Sequence, residues 1–302
     1  MAQNNPDLAA PRTFFDGRGL VRNIIMRRSW FIAFILIDIF VLYSIFNSEV
    51  MIEAWDYIVV GIGVTVQITI LSFLLSLVIG LIVALGRISK NVIIYNVTTL
   101  YVELFRGLPL LVIILIFAFV VTPALVDLIA GTETLPGIPF LDNFIQSIVG
   151  IDPAVIDTTT LRARDIDPVV RIVLAFAVTY GAFMSEVFRA GIESIGKGQM
   201  EAARSLGMTY VEAMRYVILP QAIRNVLPAL ANNFILLLKD TSLASVVAVP
   251  EISHLTRQYA SNRFRYPEGL LILSFIYANV TILMSLGVIY LEHRLQQDKR
   301  DE

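Results

Sequence analysis

The 302-residue chain contains no cysteine, so neither a disulfide framework nor a thiolate metal site is open to it. Histidine is almost as scarce: His254 and His293 are far apart and have no metal-ligand spacing. Charged residues make up 16% of the chain against 57% apolar. The net charge of −2 gives no reason to expect a nucleic-acid partner. The apolar runs hold no histidine cluster and no paired carboxylates, so no catalytic constellation is expected, and the chain is not expected to be an enzyme. The first 29 residues are polar and arginine-bearing. They lack the basic, apolar and small-residue regions of a cleavable signal peptide, so this tail is expected to be retained.

What the chain has in abundance is hydrophobic length. The mean hydropathy is +0.75, and long apolar runs point to an all-α, polytopic helical membrane protein. Six spans are predicted, at Trp30–Phe46, Ile58–Gly86, Leu108–Val126, Val169–Phe188, Gln221–Val249 and Leu270–Leu291. The fifth is the least clean, holding Pro228, Asn232, Asn233, Lys239 and Asp240. The first is short and contains Asp38, assigned to a contact with a neighbouring helix. Five spans, with Trp30–Phe46 as the optional one, is the alternative. On this division sixteen basic residues fall on the side of the two termini and of segments 87–107 and 189–224, and five fall on the other. Lys and Arg favour the cytoplasmic side of a membrane, so both termini are expected there.

The expected organisation is a cytoplasmic tail over 1–29, an extra N-terminal span and external loop over 30–57, a core over 58–292 and a cytoplasmic tail over 293–302. The external segment 127–168 carries four prolines and seven acids against two arginines, and its apolar run 144–149 suggests a short surface helix. It is either a solvated connector or a contact for a soluble binding protein.

Residues 201–220, EAARSLGMTYVEAMRYVILP, lie on the cytoplasmic side in this topology. They read as two short helices joined at Gly207, which accepts the left-handed conformation that closes a helix. Thr209 and Glu212 form a T-x-x-E capping box that opens the second helix, and Pro220 is expected to bend or end it. A loop built this way is rigid enough to be gripped by another protein. Just before it, GIESIGKG over 191–198 imitates the start of a phosphate-binding loop. Gly198 stands where a hydroxyl would be needed, and the preceding run is a membrane helix rather than a strand, so the match is rejected.

The same stretch resembles the EAA loop of permease subunits of bacterial ATP-binding-cassette importers. The resemblance rests on Glu201, Ala202, Ala203, Gly207, Val217, Leu219 and Pro220, with Val217 where the family usually has isoleucine. It implies a MetI-like transmembrane domain whose EAA helix, in segment 197–220, sits in a cleft on a separate ATPase. Glu201, Ala202, Ala203, Gly207, Leu219 and Pro220 are then the ATPase-coupling residues. Small Ala202 and Ala203 permit close approach, Met200 and Leu206 offer apolar contact, and Glu201 is placed in the first turn. Three further segments, ELFRGLPL (103–110), EVFRAG (186–191) and LKDTSLASVVAVPE (238–251), are similar to the polar amino acid uptake branch, the histidine/glutamine/arginine-type permeases. The resemblance covers about residues 60–290.

The residues of those segments have their own chemistry. Glu103 and Arg106, and again Glu186 and Arg189, are three apart and can pair on a helix face; Glu103 and Arg106 serve either as a helix-entry ion pair or in gating. Gly107 and Pro109 interrupt the helix. Lys239 lies about 22 Å along a helix from Arg224, deep in a bilayer about 30 Å thick. Lys239, Asp240, Thr241 and Ser242 are candidates for the translocation path; the competing reading is a Lys239–Asp240 ion pair that locks the bundle. The resemblance further implies a dimer of permeases, identical or related, two cytoplasmic ATPase subunits, and an extracytoplasmic amino acid-binding protein. ATP and magnesium would be held by the ATPase, with no cofactor or metal in this chain. Polar amino acids would cross the bacterial inner membrane by alternating access. An ion-coupled secondary amino acid transporter is the alternative, but it would show paired broken helices in internal repeats, and none is evident.

Overall fold

In the computed structural model of the chain, residues 29–125 and 166–301 are described. Every regular element among them is helical. The 144–149 run and most of the 127–168 segment lie outside the described residues. Two compact units divide the chain, residues 1–55 and 56–302. The first holds the apolar helix α1 (Ser29–Phe46) and most of α2 (Glu49–Val59).

The second unit contains α3 (Gly61–Ile88), α4 (Val92–Gly107), α5 (Leu110–Ile116, continued by a π-helical turn over Phe117–Val121), α6 (Pro168–Glu193), α7 (Lys197–Ser205), α8 (Tyr210–Ala213), α9 (Leu219–Asp240), α10 (Ile252–Arg263) and α11 (Tyr266–Asp301). Four described helical stretches are long and apolar enough to cross a membrane: Glu49–Ile88, Pro168–Glu193, Tyr210–Val247 and Tyr266–Tyr290. A fifth is a bent pair, Val92–Gly107 with Leu110–Leu125, turned through 107°. The bend is where Gly107 and Pro109 predict it. The residue before a proline is driven out of the helical region, and Leu108 and Pro109 are both extended, with ψ of 142° and 135°.

The bundle is built on α3 against α6, its most extensive helix pair. One face of α3 carries small residues three or four apart: Gly61, Thr65, Thr69, Ser72, Ser76, Gly80 and Ala84 are all buried. Lipid chains are as apolar as leucine, so burial gives helices in a membrane little drive to associate. They associate through close packing of small residues instead. At Gly80 a Cβ would come within 2.8 Å of the Met184 Cβ on α6, so the backbones meet there only because no side chain intervenes. Apart from Ser72, the hydroxyls that this packing buries are satisfied locally. Thr69 donates to the Thr65 carbonyl at 2.7 Å and Ser76 to the Phe73 carbonyl at 2.8 Å. Ile68, Ile113, Ile172, Phe176, Met184 and Leu237 complete the apolar core.

The stretch leading into the predicted fifth span differs from expectation. Pro220 neither ends nor breaks it. The helix begun at Tyr210 passes through a π-helical turn over Met214–Ile218 and enters α9 with Pro220 in its first turn. Proline costs the continuing helix one N–H bond, and the π-turn just before it re-routes the neighbouring bonds. Beyond Asp240 the helix tightens into a 3₁₀ stretch, Thr241–Val247, and ends at Ala248 in the left-handed conformation.

Candidate functional site

The 194–225 excursion is closed at its root. Asn225 on α9 donates to the Ser194 hydroxyl at 3.1 Å, at the end of α6. Ile192, Met214, Ile218 and Ala222 form a separate apolar cluster beneath it, with Ile88, Met200 and Leu219 packed against them. Helix α7 stands on this cluster, with Ala203 buried and Glu201, Ala202, Arg204, Ser205 and Leu206 exposed.

Both ends of the turn after α7 are capped as the sequence predicts. Gly207 has φ of +88°. The Met208 N–H donates to the Ala203 carbonyl and the Gly207 N–H to the Arg204 carbonyl, which is the two-bond glycine closure of a helix. Thr209 and Glu212 make the reciprocal box, with the Thr209 N–H donating to the Glu212 carboxylate at 2.7 Å. Two expectations change. Helix α7 starts at Lys197, so Glu201 lies beyond its first turn, and Met200 packs into the cluster below rather than outward. Leu206, 81% exposed, is left as the apolar contact of that helix.

A carboxylate joins three helices next to this root. Glu186 on α6 accepts from Arg87 at the end of α3 at 2.5 Å, from Arg106 at the end of α4 at 3.0 Å, and from Arg189 at 2.7 Å. Arg189 also donates to Glu193 at 2.7 Å. The predicted Glu186–Arg189 pair is therefore present, but the Glu103–Arg106 pair is not. Arg106 turns to Glu186 and over the Phe183 ring, while Glu103 is exposed and makes no ion pair among the described residues. One carboxylate shared by guanidiniums from other helices is worth more than a solvent-facing i,i+3 contact, which contributes a few tenths of a kcal/mol.

At the other end of α9, Lys239 and Asp240 form no close ion pair, although the Lys239 charge still acts on Asp240. The Tyr180 hydroxyl on α6 donates to Asp240 at 2.7 Å. Lys239 lines a cleft of about 510 Å³ shared with Ser242, Ser253, Ser274, Tyr277 and Thr281. Successive helix positions do not face one another. Thr241 is fully buried and donates to the Leu238 carbonyl at 2.6 Å, so only Ser242 of the two hydroxyls opens on the cleft. Sequence reasoning missed Glu251, which is 0% exposed and caps α10 through the Ser253 and His254 N–H groups. Burial pushes its carboxyl up to about 7, against the opposing pull of those two bonds. The signal was available: an acid directly after Pro250 is a helix-start pattern. Arg87, Tyr180 and Tyr277 were also missed, and no local pattern points to them. Among the described residues no group of His, Cys, Asp or Glu is placed to hold a metal.

Known proteins share the sequence and the fold that carry this capped excursion. Residues 76–300 match the family described as binding-protein-dependent transport system inner membrane component. The chain is 33% identical to YckA of Bacillus subtilis (strain 168), named as a probable amino-acid ABC transporter permease, over 77% of this chain and 86% of that one. The crystal structure of an amino acid ABC transporter with histidines superposes with a TM-score of 0.61 at 32% identity, covering 81% of this chain and 96% of that one. An inward-facing structure of the MetNI methionine ABC transporter, at 18% identity and a TM-score of 0.56, shares the fold over 82% of this chain and 99% of its own. With the match running from the second half of α3 through the last helix, the chain belongs to the inner membrane components of binding-protein-dependent transport systems.

Proposed function

We propose that this multi-pass permease subunit carries polar amino acids inward across the bacterial inner membrane, driven by a separate ATPase that grips α7. The observation that carries the reading is the excursion itself. It is capped on both sides of Gly207, seated on its own apolar cluster, and rooted next to the Glu186 network. A push on α7 is therefore delivered to α6 and α9 rather than absorbed in a loop. Glu201, Ala202 and Leu206 form the outward face that meets the ATPase, Gly207 fixes the angle of the turn, and Leu219 and Pro220 pass the movement into α9. The amino acid class comes from the related permeases, and the basic residues support cytoplasmic termini.

The transporter would work as a pair of permeases, identical or related, with two ATPase subunits holding ATP and magnesium and a soluble amino acid-binding protein outside. ATP favours the state in which the two coupling helices approach each other, and hydrolysis releases it. Only such differential stability can move the bundle between inward- and outward-open states. The test is purification of this chain from its native membrane in mild detergent. Recovery of a nucleotide-binding ATPase that is lost with Glu201→Lys is the expected result. Recovery of the chain alone, still transporting without ATP after reconstitution, would overturn the reading.

A further inference from the structure

The turn between α10 and α11 holds a bulky residue in an unusual backbone state. Phe264 has φ of +56°, a left-handed conformation that phenylalanine seldom adopts and that glycine ordinarily fills at a helix end. The ring is also 86% exposed. The other non-glycine residue with positive φ among the described residues is Ala248, whose side chain is a single methyl. The turn around Phe264 is not a loose tip. The Phe264 and Arg265 N–H groups both donate to the Ala260 carbonyl, the latter at 3.1 Å. The Ser261 and Tyr266 hydroxyls are 3.1 Å apart, and Arg265 pairs with Glu268 at 3.2 Å. Gly269 lies against α10, where an added Cβ would come within 3.4 Å of a Thr256 methyl. The ring is therefore held clear of the protein by a well-bonded corner.

In water such a residue combines a backbone cost with an uncovered aromatic surface. Its position along the chain supplies a cover. Leu270 to Tyr290 runs about 30 Å along α11, the thickness of a hydrocarbon core, within the apolar stretch Tyr266–Tyr290. Tyr266 stands about 6 Å before Leu270, at the level of a headgroup layer about 5–7 Å deep on each face. Phe264 is at the corner immediately before it. Arg263, Phe264, Arg265 and Tyr266 are all exposed, and this is an interfacial composition: aromatic rings settle at headgroup level, and arginine stems lie along apolar surface with their heads in the polar layer. The exposed residues on the outer side of α10, Arg257, Gln258, Ser261 and Asn262, include no large apolar side chain, so the apolar contact is confined to the corner.

We infer that the α10–α11 corner is a bilayer anchor: Phe264 inserts into the phospholipid headgroup layer beside Tyr266, and Arg263 and Arg265 reach the lipid phosphates. The occupant is lipid rather than a soluble protein because α11 enters the membrane at the corner itself. The anchor holds the end of α10 and the start of α11 at one depth in the bilayer. It requires only that α11 crosses the membrane, and it is independent of which solute is carried and of what drives the transport.

Because the chain has no cysteine, one introduced thiol reports on the corner. In the complete importer in proteoliposomes, with partner cysteines replaced, Phe264→Cys carries a nitroxide spin label. Its collisions with dissolved oxygen, which concentrates in lipid, are compared with those of a neutral, water-soluble nickel complex. The oxygen-to-nickel ratio should be severalfold that of the same label free in the buffer. With the label moved to Tyr266→Cys, adding Phe264→Asp should lower the ratio as the corner lifts, whereas Phe264→Trp should preserve it. This second pair stands alone if Phe264→Cys fails to assemble. A ratio at position 264 equal to that of the free label overturns the anchor by placing the ring in water, and so does a ratio at position 266 that ignores Phe264→Asp. Shielding from both reagents also overturns it, because a protein surface then covers the ring. That surface is the partner permease if the shielding persists without the soluble binding protein, and the binding protein if the shielding appears only with it.

Discussion

The end of the bundle around Glu186 and the cleft at Lys239 handle charge differently. At the first, one carboxylate binds guanidiniums from α3, α4 and α6, and the helix carrying it leads directly to the excursion that stands on the Ile192–Met214 cluster. At the second, an ammonium and several hydroxyls line an open cleft of about 510 Å³, and the ammonium makes no close ion pair among the described residues. Saturated charge makes a joint, because each helix end loses a bond if it moves alone. A charge held by no close partner leaves its side chain free to move, so it ties no helix to another.

The joint should be the easier of the two to break. Glu186→Ala takes the carboxylate from the largely buried Arg87 and from Arg106, while Arg189 keeps Glu193. Removing one partner of such a group costs about 3 kcal/mol or more, so the variant should lose most of its folded yield in detergent and its thermal midpoint should drop sharply. A variant as stable as wild type would show that the network ties nothing together. Gly207→Pro should leave the bundle folded but abolish ATP-driven uptake, since proline cannot adopt a φ of +88° and both closing bonds of α7 are lost. Uptake at half the wild-type rate or better, at equal expression, would remove the rigid-excursion argument.

Glu251 gives a comparison inside the second region. Its folded carboxyl is raised to about 7 from an ordinary 4.5, so the folded state holds this proton more tightly than the unfolded state. Its contribution is complete at low pH and is lost as pH rises through 7. The thermal midpoint should therefore fall between about pH 5 and about pH 8, and Glu251→Gln should flatten that slope. A slope unchanged by the substitution would assign it to other groups. Thr209→Ala removes the side-chain half of the capping box and should cost about 1 kcal/mol, seen as a small shift in thermal midpoint and a partial loss of uptake. Glu103→Gln should do least. That carboxylate is exposed and unpaired among the described residues, so stability should stay within about 0.5 kcal/mol and uptake should not change.

These ranks follow how local each feature is. The closure at Gly207 and the Thr209–Glu212 box were legible because a cap involves residues within one turn of one another, and the residue types alone carry the geometry. The break at Gly107–Pro109 was legible for the same reason. The run of small residues along α3 was also written at a readable spacing, although it shows only beside α6 that those positions are where two backbones touch. The separation of Lys239 from Asp240 could have been read too, since neighbours on a helix point about 100° apart.

Composition, apolar run length and short-range caps settled that this is a helical membrane protein with a stiff excursion between two of its spans. Those properties depend on the chain's interaction with lipid and with its own next turn. Which helix ends share Glu186, whether Pro220 would stop a helix or be carried through a π-turn, and that Asp240 is held by Tyr180 are matters of approach between residues as much as 99 positions apart. No local preference encodes such an approach. It arises only when small residues on α3 let α6 come close enough for everything else to find its partner.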